Sequence, residues 1–331
     1  MLSRSRKAAL IAPPLLILGI AYHFLADGLG WMGTSGRRPG PVNLPPSPYD
    51  PPLWMTQAYA EAPDTALRDV CIPGTHDSGS YAILGLGENV AQTTEWTLKE
   101  QLEGGYRYLD LRLAWREDAF RMVHGICTSA LAEEGFQDIG DFARDRPREI
   151  VLLKLVPIGL DTSRRHRLAQ ELILPHLGDR MAEPLGTGAT FADFWERDKN
   201  IVLAWCGDDF NDYSPLFWHK EALVMEHWSN TDDVDFLIED QLAFLPELKG
   251  QDRLHVAQLV LTPSKRSFFL YGLSIEDMTY RELNQASLIL LLSKKAWAYG
   301  RAPNIMMVDF PEQQEAFQAC MEINRLSLRG S

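Results

Sequence analysis

The stretch Tyr108-Leu109-Asp110-Leu111-Arg112 carries the reading of the fold. Side chains alternate across a strand, so Tyr108, Asp110 and Arg112 share one face and the two leucines the other. Apolar residues facing covering helices and charges facing inward describe a strand buried on both sides. A charge on the inner face needs a partner or a ligand. A structural Asp–Arg pair is the simpler use, a binding site the more specific one.

Other short apolar runs extend this reading. Strand candidates are Leu67–Ile72, Tyr106–Leu113, Phe120–His124, Ile150–Leu155, Asn200–Trp205, Ala222–Met225, Leu254–Leu261 and Asn304–Phe310. Helical patterns at Thr97–Glu103, Ile139–Asp145, Ser163–Leu177, Val234–Phe244 and Pro311–Arg325 separate several of them. Strands alternating with helices imply a parallel sheet covered by helices. Eight strands predict an α/β fold of the TIM-type (β/α)8 barrel kind, irregular or incompletely closed where a connection is short. An open doubly wound sheet is the other topology this alternation allows.

The ends of the strands hold the chemistry-bearing residues. Ile72-Pro73-Gly74-Thr75-His76-Asp77-Ser78 follows the first strand, Met122-Val123-His124-Gly125 ends another, and Met307-Val308-Asp309-Phe310 ends the last. A lone turn histidine is most often solvated. Two histidines, an arginine and carboxylates at strand C-termini are instead a set suited to cleaving a phosphodiester. One imidazole takes a proton, the other supplies one, and the guanidinium holds the phosphate. In a closed barrel the last strand lies beside the first, so Asp309 is expected to orient His76.

Taken in order, IPGTHDS, YLDLR, VHG and VDFPEQQ resemble the bacterial phosphatidylinositol-specific phospholipase C family. The likeness extends to X-domain-only eukaryotic relatives through EHWSNT and LHVAQLVLTPS, and it covers about Ala66 to Leu326. The resemblance implies that His76 is the general base, His124 the general acid, Asp309 the partner of the base and Asp77 the partner of the acid. It implies that Arg112 stands where calcium sits in the metal-dependent branch, so no metal and no cofactor are expected. It also implies cleavage of phosphatidylinositol-type lipids to diacylglycerol and inositol 1,2-cyclic phosphate by attack of the 2-hydroxyl. Lys154, Glu226 and Trp228 are the substrate-binding candidates, with the register of Lys154 open by one residue. A core role for Trp228 is the competing reading.

Three alternatives follow from the same residues. A metal-dependent glycerophosphodiesterase or a phospholipase D-like enzyme would need an acidic metal cluster near His76. A non-catalytic module would bind inositol lipids without turnover. The partner in each lipid reading is a membrane phospholipid, of the inositol or glycosylphosphatidylinositol type, at a membrane surface.

Bulk properties set the outer limits. The chain has 331 residues and a formal net charge of -13, which argues against nucleic acid as a partner. Cys71, Cys127, Cys206 and Cys320 lack metal-site spacing; they read as small buried hydrophobes, with any pairing open. Arg4, Arg6 and Lys7 precede an apolar run to Ala26, the pattern of a signal anchor or signal peptide over 1–27. Either version directs the catalytic part outside the cytoplasm, secreted or membrane-anchored. Residues 28–59 read as a Pro-rich linker, and 60–331 as the catalytic domain.

Overall fold

A computed structural model describes residues 43–264, 267, 270, 274–296 and 304–330; the signal or anchor segment and the first part of the linker lie outside them. Eight parallel strands form one curled sheet. In chain order they are β1 (Ile72–Thr75), β2 (Tyr108–Arg116), β5 (Val151–Pro157), β6 (Ile201–Trp205), β7 (Phe217–His219), β8 (Val224–His227), β9 (Leu254–Leu259) and β10 (Ile305–Val308). An antiparallel hairpin, β3 (Ala119–His124) and β4 (Cys127–Leu131), extends from β2. The spatial order is β7-β6-β5-β2-β1-β10-β9-β8. The first and last barrel strands pair in register, Ile72 opposite Ile305 and Thr75 opposite Val308. Among the described residues β7 and β8 do not pair, so the barrel is open at that seam.

The predicted alternation holds in β2. Leu109, Leu111 and Leu113 pack outward with Phe136, Ile139 and Phe142 of the helix Ala132–Asp145. Tyr108 belongs to the other cluster, with Ile72, Leu152 and Val256. Gly74 is needed where β1 passes this ring. A Cβ there would lie 2.9 Å from Tyr108 Cδ1, closer than packing permits.

Two expectations are corrected. Phe120–His124 is a strand, but it runs antiparallel to β2 and is not one of the barrel staves. The place it was given is filled by β7, a three-residue strand too short to show periodicity. Folding also begins before Ala60. Pro51 and Pro52 open a 3₁₀ turn that leads into the helix Trp54–Tyr59, and Trp54, Met55 and Tyr59 are buried. Proline suits such a start because the first turn has no intrahelical use for its missing N–H.

A fully buried ion pair holds this segment. Arg107 Nη2 lies 2.9 Å from Glu149 Oε2, and both side chains are 0% exposed. Arg107 also donates to the carbonyls of Leu102 and Pro51, while Glu149 accepts from the Met55 and Thr56 backbone. Breaking one side of such a pair strands the other charge in the interior. No helix among the described residues is long and apolar enough to cross a membrane.

Glu149→Ala should therefore destabilise the fold by about 3–5 kcal/mol, read as a lower urea midpoint. A fragment starting at Ala60 should also lose stability, since it lacks Trp54 and Met55 and the Met55 and Thr56 donors to Glu149. An unchanged midpoint in both would count against the segment as part of the fold.

Candidate active site

His76 sits one residue past β1, in a turn that the surrounding backbone fixes. Ser78 N–H donates to the Asp110 carbonyl at 2.9 Å. Thr93 Oγ1 donates to the His76 carbonyl at 2.8 Å, and the Thr93 carbonyl accepts from Phe310 N–H at 2.6 Å. Thr93 thus ties together the strand ends that carry His76 and Asp309. Within the turn Asp77 adopts a left-handed backbone, φ 43°. Aspartate tolerates that region better than most residues, and such strain persists where the surroundings dictate it.

The turn aims the Asp77 carboxylate into the interior, where its side chain is 1% exposed. Oδ2 lies 3.2 Å from His76 Nε2 and 3.0 Å from His124 Nε2, and Oδ1 lies 2.8 Å from Arg112 Nε. Both imidazoles and the guanidinium converge on one carboxylate. The two rings are edge-to-face, centroids 5.7 Å apart.

Each histidine is oriented from its far side. His76 Nδ1 donates to Asp309 Oδ1 at 2.9 Å, which leaves Nε2 as the acceptor facing Arg112 Nη2, also at 2.9 Å. His124 Nδ1 donates to the Ala91 carbonyl at 2.6 Å. Its Nε2 faces Asp77 Oδ2. Burial alone would lower the His76 pKa. The Asp77 and Asp309 charges outweigh burial and hold the imidazole above its ordinary value.

Arg112 reaches across β2 to Asp110, with Nη2 2.9 Å from Oδ2. Asp110 is opposite Lys154 in the β2–β5 register, which puts both on the inner face and resolves the register of Lys154. Lys154 Nζ lies 3.6 Å from Asp110 Oδ1 and 2.9 Å from Glu226 Oε2. Burial would raise the Asp110 pKa, but Lys154 and Arg112 hold it well below the usual carboxylate range. Glu226 also meets Lys220 Nζ at 2.7 Å and accepts from Gln258 Nε2 at 3.0 Å.

His76, His124, Arg112, Lys154, Lys220, Glu226 and Gln258 line a cavity of about 650 Å³ together with Trp228, Val90, Val260 and Asp309. Trp228 is 55% exposed on the cavity wall and donates to Thr262 Oγ1, so it is not a core residue. All eight candidate residues from the sequence are brought to this region. Lys220, Gln258 and Thr93 were missed. Gln258 shares an alternating strand, LHVAQL, which signals its inward face; Lys220 and Thr93 lie in short connections without such a signal.

His76, Asp77 and Asp110 offer ligand atoms within 4.8 Å of one another. The Arg112 guanidinium pairs with both of those carboxylates, so a divalent cation there would have to displace it.

Comparison with known proteins follows the same line. PI-PLC X domain-containing protein 1 of Mus musculus is 26% identical over 264 residues, covering 70% of this chain and 74% of its own. The Homo sapiens protein of the same name is 26% identical over 301 residues, covering 78% and 87%. The chain is thus similar to the PI-PLC X domain-containing proteins over most of its length. No protein-family model matches it. The phosphatidylinositol-specific phospholipase C of Listeria monocytogenes shares the fold with a TM-score of 0.62, 21% identity, and coverage of 80% of this chain and 97% of that one. The Staphylococcus aureus enzyme does so with a TM-score of 0.61 and 16% identity, over 82% and 97%. The chain thus has the TIM-barrel-like fold of these bacterial phosphatidylinositol-specific phospholipases C.

In an NMR titration the His76 imidazole should titrate above about 6.5, and Asp309→Asn should move it down, because a carboxylate that favours the charged ring is lost. By linkage, the His76–Asp309 pair favours the folded state most below the ordinary imidazole pKa, and that contribution fades as pH rises through the higher folded value. An upward shift in Asp309→Asn would contradict this electrostatic account.

Proposed function

We propose that this chain cleaves phosphatidylinositol-type lipids by intramolecular transfer, releasing diacylglycerol and inositol 1,2-cyclic phosphate. The observation that carries the reading is the pair of imidazole Nε2 atoms on one Asp77 oxygen with Arg112 on the other. The unprotonated Nε2 of His76 takes the proton of the inositol 2-hydroxyl, and the oxygen left behind attacks phosphorus. The bond from phosphorus to the glycerol oxygen breaks, and His124 Nε2 gives that oxygen its proton. Arg112, within 2.9 Å of His76 Nε2, binds the phosphate beside the base and stabilises its growing charge. Lys154, Glu226 and Trp228 face the same cavity, as hydroxyl partners and an aromatic wall for the head group.

The reaction in this reading needs no metal. Calcium seeks six to eight oxygen ligands, and here the nearest carboxylates are engaged by a guanidinium. The metal-dependent alternatives would require Arg112 to leave Asp77 and Asp110.

A membrane surface is the proposed setting, with the catalytic domain outside the cytoplasm. Leu84 and Ile126 are 84% and 90% exposed. Ile126 lies two residues past His124, and a Cβ on Gly87 would be 3.1 Å from Cys127 Sγ, so the segments carrying the two residues are neighbours. Val90 and Trp228 continue the apolar border on the cavity itself.

Phosphorus NMR of the full chain with phosphatidylinositol should show a five-membered cyclic phosphate, undiminished by excess EDTA. His124→Ala should slow its formation by roughly 10²–10⁴-fold with the fold intact. Activity on the acid side should fall as pH drops through the raised His76 pKa, since the base works unprotonated. Complete loss in EDTA, or absence of the cyclic product with every inositol substrate, would overturn the reading.

A second outcome concerns the rim. Leu84→Asp with Ile126→Asp should reduce turnover on vesicles while leaving turnover of a soluble glycerophosphoinositol near wild type. An equal loss on both substrates would argue against a lipid-facing rim.

A further inference from the structure

Two of the four cysteines meet behind the active site. Cys71 immediately precedes β1, Cys320 lies in the C-terminal helix Glu315–Gly330, and both are buried and unlinked. Both side chains lie in the same core cluster, close enough for the Cys71 thiol to act on the Cys320 pKa. Asn324, one helical turn after Cys320, fixes the approach from both sides. Its Oδ1 accepts from Cys71 N–H at 2.8 Å and its Nδ2 donates to the Cys71 carbonyl at 2.8 Å. The backbone of Cys71 is thereby clamped to the helix face that presents Cys320.

We infer that Cys71 and Cys320 form an intramolecular disulfide when the chain folds in an oxidising environment. Each sulfur loses its hydrogen. The two electrons and two protons pass to a low-molecular-weight disulfide, which leaves as two thiols, so the exchange balances without any other reactant. The step belongs to folding rather than to the finished structure. Once the helix docks, Cys71 is 1% and Cys320 0% exposed, and an oxidant cannot reach them. Burial and the neighbouring thiol also push the Cys320 pKa up, which suppresses the thiolate that exchange needs.

The link would join residues near the two ends of the folded region. Loop closure over so long a stretch removes much disorder from the unfolded chain, though measured gains vary with strain. It also spans the elements that assemble the His76–Asp309 pair. Cys71 lies five residues before His76, and the helix bearing Cys320 follows Asp309 on the adjacent strand. The expected effect is on stability, with turnover well below the melting temperature little changed. The linkage does not depend on which substrate the site takes.

Refolding the full chain with glutathione disulfide tests this. After denaturation without reduction, alkylation should mark two thiols, Cys127 and Cys206, and proteolysis should yield peptides of Cys71 and Cys320 joined until reduced. The oxidised protein should melt higher than the reduced one. Cys320→Ala should abolish that difference, Cys71→Ala serving if the first variant folds poorly, and Cys127→Ala should preserve it. Four alkylated thiols, or a link through Cys127 or Cys206, would overturn the inference.

Discussion

The Asp77 carboxylate is the interaction on which the site depends. A buried anion is costly unless it is neutralised, and here two imidazoles and a guanidinium surround it. The same requirement gathers the groups of the candidate site, because each must approach within about 3 Å to meet it. The anion also divides the two histidines. Its charge helps to keep the His76 imidazole above its ordinary pKa, while its contact with His124 Nε2 orients the ring proposed as the acid. Apart from the adjacency of His76 and Asp77, nothing in the covalent chain brings these groups together. Asp77 is placed by a turn in a left-handed conformation, His124 by the returning hairpin, and Arg112 by the inner face of β2.

Register does the remaining positioning. Because β10 pairs with β1 on one side as it does with β9 on the other, Asp309 stands beside His76 across 233 residues of chain. Asp110 and Lys154 meet because they are opposite one another in adjacent parallel strands. A slip of one residue in either strand would send a charge into the leucine layer, so the hydrophobic pattern that packs the helices also holds the candidate site's face in place. The open seam between β7 and β8 has a local consequence. Lys220, in the short connection between them, bends toward Glu226 instead of lying under a longer covering helix.

Much of this was legible before any coordinates. The alternation in YLDLR separated the inward charges from the leucines, and strand-end histidines pointed to one face. What escaped had physical reasons. The second hairpin strand, CTSAL, is short and only half-buried, so it has no apolar face to read. The orientation of Phe120–His124 depends on the turn at Glu117 and Asp118, both with positive φ, where the sequence lacks the glycine that usually marks such a turn. The proline-dense stretch suggested a linker reaching Tyr59. In the structure, Trp54, Met55 and Tyr59 bury enough apolar surface to fold the end of that stretch onto the barrel. The contribution of Thr93 is a backbone and hydroxyl bridge, a kind of contact that composition does not reveal.

The guanidinium settles how charge is handled in the site more sharply than the carboxylates do. His76, Asp77 and Asp110 have the atoms for a cation, and with a neutral residue at 112 they would form an acidic nest suited to one. Arg112 fills that role with a charge fixed to the backbone. It is permanent at any working pH, since the guanidinium does not lose its proton. It also presents more than one donor, so Nε can remain on Asp77 while Nη2 turns from His76 and Asp110 toward a phosphate oxygen. A bound metal would neutralise the carboxylates equally well, but it would draw on the His76 lone pair that the proposed base needs. A side-chain cation neutralises the anions and leaves that lone pair available once substrate arrives. In the proposed reaction a cation carried by Arg112 is thus tied to the use of His76 as a base, and the two features stand or fall together.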